Sequence, residues 1–136
     1  MSYLISTKGR YALRVMLDMA ENSNGGYIPL KDIATRQEIS LKYMETIMPN
    51  LVKAGFLEGT QGKGGGYKLS RPADQYSVGE ILRVTEGTLA PVACLDEGFI
   101  CPRMDGCITL PVWKKLDSLI GDYLDNVKLT DLLNDR

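Results

Sequence analysis

The chain has 136 residues, 44% of them apolar and 24% charged, the composition of an ordinary folded domain, which excludes two large independent cores, a disordered chain and a fibrous repeat. Sixteen Lys and Arg against seventeen Asp and Glu leave a net charge of -1, so bulk attraction to a polyanion is excluded and any nucleic-acid role must come from local patterning. The absence of histidine removes the commonest general base, the Ser-His and Cys-His nucleophile pairs and every imidazole zinc site.

In chain order, Ser6 and Thr7 offer a helix N-cap, and Ala12, Leu13, Met16, Met19 and Ala20 recur at helical spacing until Ser23-Asn24-Gly25-Gly26. Tyr27-Ile28-Pro29-Leu30 leads into a brief second helix, carried by Leu30, Ile33 and Ala34 and ending near Gln37. Ser40 caps a third helix with Leu41, Met44, Ile47 and Met48 on one side and Lys42, Glu45 and Thr46 toward the other. Pro49 predicts a kink or break near Met48, with Leu51 to Ala54 as a further turn and Gly55 as the stop. The period then changes. Phe56 to Thr60 and Tyr67 to Ser70 read as short strands around the glycine-rich tip Gln61-Gly62-Lys63-Gly64-Gly65-Gly66. Three short helices followed by such a hairpin are the order of a winged helix-turn-helix.

Arg71 to Asp74 is a turn, and Ser77 with Glu80 three residues later is a capping box opening a helix that runs to Gly87. A loop from Thr88 to about Thr109 holds every cysteine. The next helix carries Trp113, Leu116, Ile120, Tyr123 and Val127 at alternating steps of three and four, an apolar stripe able to pair with another helix. Leu129 to Leu133 reads as a last helical turn. The fold class is therefore mainly α with a small β wing, followed by a long C-terminal helix. Three segments follow: 1–71, a winged helix-turn-helix; 72–108, a linker helix and cysteine loop; and 109–136, the long helix and C-terminal segment.

The near-neutral total conceals an asymmetry. Residues 1–71 hold ten basic and six acidic residues, a charge of +4, and the remainder holds six basic and eleven acidic, a charge of -5. No apolar run approaches the ~18 residues that cross a bilayer, and the opening residues lack an apolar signal core. A cytoplasmic protein with no membrane partner is expected.

Two features carry alternatives. The tip glycines suit a tight turn needing positive φ, and equally a wing lying on DNA; a phosphate loop is disfavoured because GxxxxGK[ST] is absent and the glycines join two strands. Lys42, Tyr43, Glu45 and Thr46 form either a solvated face or the start of a recognition helix, where a glutamate accepts from cytosine N4 and a lysine reaches phosphate or guanine. Cys94, Cys101 and Cys107, with six and then five residues between them, fit neither a zinc ribbon nor CxxC. Their polar, glycine- and proline-containing surroundings favour a shared metal or sulfide cluster over buried thiols. An enzyme is disfavoured, because no CxxC, histidine or spaced acid-base pair is present; a winged helix used only to dock proteins is a third reading.

The runs Ser6-Thr7-Lys8-Gly9-Arg10-Tyr11-Ala12-Leu13, Ile39-Ser40-Leu41-Lys42-Tyr43-Met44-Glu45, Gly62-Lys63-Gly64-Gly65-Gly66-Tyr67-Lys68-Leu69 and Ser77-Val78-Gly79-Glu80-Ile81 resemble the Rrf-type (IscR/NsrR/CymR-like) bacterial transcription regulators over nearly the whole chain. The resemblance implies a homodimer that sets two winged helices on a palindromic double-stranded DNA operator, with a long helix from each subunit as the seam. It implies DNA contacts from Lys8, Arg10, Ser40, Lys42, Tyr43, Glu45, Thr46, Gln61 and Lys63, with Glu45 as the base-reading glutamate. IscR-like members carry arginine where this chain has Gln61, and an amide cannot exploit the potential of a narrow minor groove as arginine does.

The resemblance further implies an iron-sulfur cluster, 2Fe–2S or 4Fe–4S, on Cys94, Cys101 and Cys107 as a redox-sensing switch. Here the pattern departs from the family: the first gap is one residue longer, the IscR-like histidine ligand position is Leu110, and the NsrR-like acidic position in the first helix falls in Lys8-Gly9-Arg10. The fourth ligand is then Asp96, Glu97 or Asp105, an external thiol or water, or nothing. The alternative within the family is a repressor without a cluster, controlled by thiol chemistry or a partner protein, as in CymR-like members.

Overall fold

The computed structural model describes residues 4–95 and 106–135. Cys101 and the acids Asp96, Glu97 and Asp105 therefore lie outside the described residues. Helix α1 runs Thr7–Glu21, and the Ser6 side chain accepts from the Gly9 amide, supplying one of the partners a first turn lacks. Helix α2 runs Leu30–Gln37 and ends at Glu38, a non-glycine residue with φ 54°. Helix α3 runs Leu41–Lys53 behind a Ser40 cap.

Of the kink or break expected near Met48, the break does not occur, and α3 continues through Pro49. A proline there strands only the Glu45 carbonyl, and Glu45 is exposed, so water can reach that acceptor. Met44, Ile47, Met48 and Leu51, on both sides of the proline, are buried in one core. That one-sided burial outweighs the missing hydrogen bond.

Strands β1, Leu57–Thr60, and β2, Gly66–Leu69, pair antiparallel with Leu57 opposite Leu69 and Thr60 opposite Gly66. Ile28 adds a third rung: its amide donates to the Tyr67 carbonyl at 2.7 Å and its carbonyl accepts from the Tyr67 amide at 2.9 Å. The sequence reading treated Ile28 as a lead-in and missed this tie between the wing and the helix-turn-helix. A 3-10 turn at Ala73–Gln75 leads to α4, Val78–Glu86, which carries the Ser77–Glu80 capping box. A second 3-10 turn, Ala93–Leu95, precedes α5, Leu110–Asp125, and α6, Leu129–Asn134. The long helix thus ends before Val127, at an Asn126 cap.

One core takes Met16 and Met19 from α1, Ile33 from α2, Met44 and Ile47 from α3, Leu57 from β1, Tyr76, Ile81 from α4 and Leu129 from α6. Tyr76 is its largest fully buried side chain. Its hydroxyl donates to the Phe56 carbonyl at 2.6 Å and accepts from the Arg71 amide at 3.0 Å, so the polar end of the ring is satisfied while the ring fills the core. A smaller cluster joins Val78, Leu82 and Leu89 to Ile5, Leu13, Ile120, Leu124, Val127 and Leu132.

That smaller cluster divides the apolar stripe of α5. Ile120 and Val127, expected at an intersubunit seam, pack on the chain's own α4. Leu116 and Tyr123 are exposed and Trp113 is half-buried. Val112 and Leu119 complete an outward row, Val112, Leu116, Leu119 and Tyr123, stepping by four, three and four. The sequence period alone could not separate these faces, because both are apolar and lie next to each other on the helix.

Candidate nucleic-acid interface and cysteine loop

Helix α3 turns Lys42, Glu45 and Thr46 to solvent. The Thr46 hydroxyl donates to the Tyr43 carbonyl at 2.6 Å, which leaves its oxygen as an acceptor for an outside donor. Tyr43 is half-buried, its ring edge-on to Tyr11 of α1 at a centroid distance of 5.4 Å. The Arg14 guanidinium lies over Tyr11 at 5.1 Å and donates to the Gln37 carbonyl and to Gln37 Oε1. Tyr43 is thus positioned as an anchor for the angle of α3. The Ser40 hydroxyl accepts from the Tyr43 amide at 3.1 Å. Ser40→Ala is expected to cost about 1 kcal/mol of stability through this cap, visible as a downward shift of a few degrees in a thermal melt.

Asp18 holds α2 against α1. It is only 3% exposed, and it accepts from Arg36 Nη2 at 2.7 Å, Arg36 Nε at 3.0 Å and Gln37 Nε2 at 2.9 Å. Hydrogen bonding from Asp18 raises the Arg36 guanidinium above its ordinary range, against the opposing effect of burial. A group raised in the folded state loses its contribution only as pH climbs through that raised value, so the Arg36 guanidinium stays charged throughout the neutral range. On α1, Lys8 is half-buried and Arg10 is exposed, donating to Thr7 Oγ1 at 3.2 Å. Arg14 is exposed four residues after Arg10, a spacing that puts the two on one face of α1.

Gln61 and Lys63 stand exposed on the hairpin tip, where Gly62 and Gly64 have φ of 90° and 79°. A turn of this shape favours glycine, so the bland role of the tip holds whatever else it touches. Between α3 and the wing lies an open groove of about 410 Å³, lined by Pro49, Val52, Lys53, Thr60, Gln61 and Tyr67. Lys53 is exposed on this groove, and no sequence motif singles it out.

Cys94 lies in the 3-10 turn that packs against α5, and Cys107 lies three residues before α5 begins. Both are half-buried, and the Cys107 sulfur is 3.3 Å from the Thr109 hydroxyl. In the sequence the two thiols bracket residues 96–105, which include Cys101. Soft sulfur donors at both ends of a short loop suit an iron-sulfur centre.

The entry to this loop is tied to α1. Glu86, the last residue of α4, accepts from the Ser6 amide at 2.9 Å and the Ser6 hydroxyl at 2.6 Å. A Cβ at Gly9 would sit 2.2 Å from Glu86 Oε1, so glycine is what lets the carboxylate close on the first turn. Arg83 of α4 donates to Asp125 of α5 through both terminal nitrogens, at 2.5 and 3.3 Å.

A helix-turn-helix followed by a two-stranded wing is the architecture of a winged-helix DNA-binding protein. The model of the Rrf2 family, described as an iron-dependent transcriptional regulator, matches residues 5–135. IscR of Cronobacter sakazakii is 38% identical over 132 residues, covering 97% of this chain and 81% of the relative. IscR of Escherichia coli K12 is 37% identical over 132 residues with the same coverage, 97% and 81%. Among solved structures, CymR, the global cysteine regulator of B. subtilis, matches with a TM-score of 0.79 at 31% identity, covering 100% of this chain and 99% of that one. T. potens IscR matches with a TM-score of 0.73 at 35% identity, covering 96% and 86%. The chain belongs to the Rrf2 family. It is a DNA-binding transcriptional regulator and not an enzyme. Among the described residues no helix is long and apolar enough to cross a membrane.

Proposed function

We propose that the chain binds a palindromic operator as a homodimer and that its DNA affinity is set by an iron-sulfur cluster on Cys94, Cys101 and Cys107. In this reading residues 1–71 meet the DNA, 72–108 sense and 109–136 dimerise. The observation that carries it is that α5 meets both described thiol positions: Cys107 precedes the helix, the turn holding Cys94 packs on it, and its outward row of Val112, Leu116, Leu119 and Tyr123 is bare. When bound, the cluster supplies a redox- and iron-sensitive cross-link between the two ends of the loop.

The chain's own residues carry the rest. Arg83 and Asp125 hold α4 to α5, and Glu86 holds the end of α4 to the α1 N-cap beside Lys8 and Arg10. A change in the loop is thereby passed to the spacing of the two α3 helices. Ser40, Lys42, Glu45 and Thr46 meet bases, with Glu45 as acceptor, while Lys8, Arg10, Gln61 and Lys63 meet the sugar-phosphate backbone and Tyr43 steadies α3. The missing histidine ligand leaves Asp96, Glu97, Asp105 or a molecule from solution for the fourth position, which makes the cluster easy to lose.

The test is a titration of selected operator, at fixed salt, with anaerobically purified protein and with the same protein after chelation of its iron. Visible absorbance, acid-labile sulfide and at least a fivefold difference in Kd are expected, corresponding to a coupling of about 1 kcal/mol or more. Colourless protein that stays colourless after reconstitution, or equal affinities, would overturn it. The likeness to CymR over the full chain favours a second reading: DNA binding controlled without a cluster, by oxidation of the same thiols or by a partner protein. Colourless protein whose operator affinity changes with thiol oxidation would select that reading.

A further inference from the structure

Leu41 belongs by its spacing to the apolar side of α3 with Met44 and Met48, yet it is 48% exposed while those two are buried. It is the first residue of the helix, and the core formed with α1 and α2 stops one turn short of it. The other large apolar side chains exposed among the described residues lie elsewhere: on α5 and just before it, at Leu4, and at Val52 in the groove beside the wing. Leu41 stands alone at the tip of the helix, beside the exposed Lys42 and one turn from the exposed Glu45.

An apolar group at that point has a specific complement in the major groove. Thymine alone presents a methyl there, at C5, while cytosine presents the N4 donor a glutamate accepts from. Side chains four residues apart on a helix are about 5–6 Å apart, and successive base pairs are ~3.4 Å apart along the duplex. Leu41 and Glu45 thus span one to two base-pair steps. We propose that Leu41 is a specificity-determining residue that packs on the C5-methyl of a thymine lying within two base pairs of the base read by Glu45.

This rests on the reading of α3 as the base-reading helix, but not on the cluster. The experiment first selects an operator from random duplexes, then replaces each thymine of a half-site with deoxyuridine, which removes the methyl and keeps the pairing. For the unaltered protein, one position per half-site is expected to weaken binding about fourfold, the worth of one buried methyl-sized group, or about tenfold or more when both half-sites are changed. That position should adjoin the one at which Glu45→Ala relaxes base preference. Leu41→Ala should bind thymine and deoxyuridine operators equally, with an unchanged melting temperature because the side chain lies outside the core. An operator indifferent to every thymine methyl, or one whose sensitivity persists in Leu41→Ala, overturns the assignment of Leu41 while leaving operator binding intact. Failure to select any duplex overturns both.

Discussion

Leu119→Asp is expected to separate the proposed homodimer while leaving each subunit folded. Leu119 is 53% exposed and lies with Pro111, Val112, Lys115 and Leu116 around a shallow apolar depression on α5. In a two-fold interface the substitution appears twice. Each copy forfeits about 1.5–3 kcal/mol of apolar burial and forces a carboxylate to shed water against an apolar partner face. A loss of at least about 4 kcal/mol follows, raising the dimer Kd roughly a thousandfold. Sedimentation equilibrium at micromolar protein should report monomer, and affinity for the full operator should fall to that of a half-site. The control is Ile120→Ala, one residue along. Ile120 packs with Val78 and Leu82 of its own chain, so this change should lower the melting temperature and leave the dimer Kd nearly unaltered. Monomer from Ile120→Ala and dimer from Leu119→Asp would reverse the assignment of the two faces.

Gly66→Ala is expected to be the costliest single methyl in the wing. At Gly66 φ is 147°, and an added Cβ would lie 2.1 Å from the Ile28 carbonyl oxygen and 2.8 Å from the Pro29 nitrogen. These are backbone atoms, so no rotamer relieves the contact; β2 must move away from Ile28 and lose the Ile28–Tyr67 rung. Strain in that φ region costs about 1–3 kcal/mol and forced overpacking about 1–3 more. Together they should lower the melting temperature by more than about 8 °C. Gly64→Ala separates the two effects. Gly64 has φ 79° with nothing within 4 Å of an added Cβ, so only the conformational cost remains, about 1 kcal/mol. Equal losses for the two variants would mean that the Ile28 contact contributes nothing. Because that rung ties the wing to the segment entering α2, Gly66→Ala should also weaken operator binding more than Gly64→Ala at matched folded concentration.

Much of this molecule is written locally. The caps at Ser6, Ser40 and Ser77, the end of α2 at Gln37 and the glycine turn of the wing follow from short-range chemistry: a hydroxyl beside orphan amides, a 3.6-residue period, residues that tolerate positive φ. The family resemblance was legible for the same reason, since its motifs are contiguous runs. The outward placement of Lys42, Glu45 and Thr46 also followed from period alone. What period could not settle was which of two adjacent apolar faces looks inward. Ile120 turned to α4 and Leu119 to solvent, Leu41 fell beyond the edge of a core its spacing seemed to join, and α3 ran through Pro49. Each of these depends on where other elements stop. The ties of Glu86 to Ser6, Arg83 to Asp125 and Ile28 to Tyr67 are likewise invisible locally, because their partners are 80, 42 and 39 residues apart. Sequence by itself determined the elements and their chemistry; the tertiary structure decided which faces are spent within the chain and which stay exposed, because burial is a property of neighbours that only the folded chain brings together.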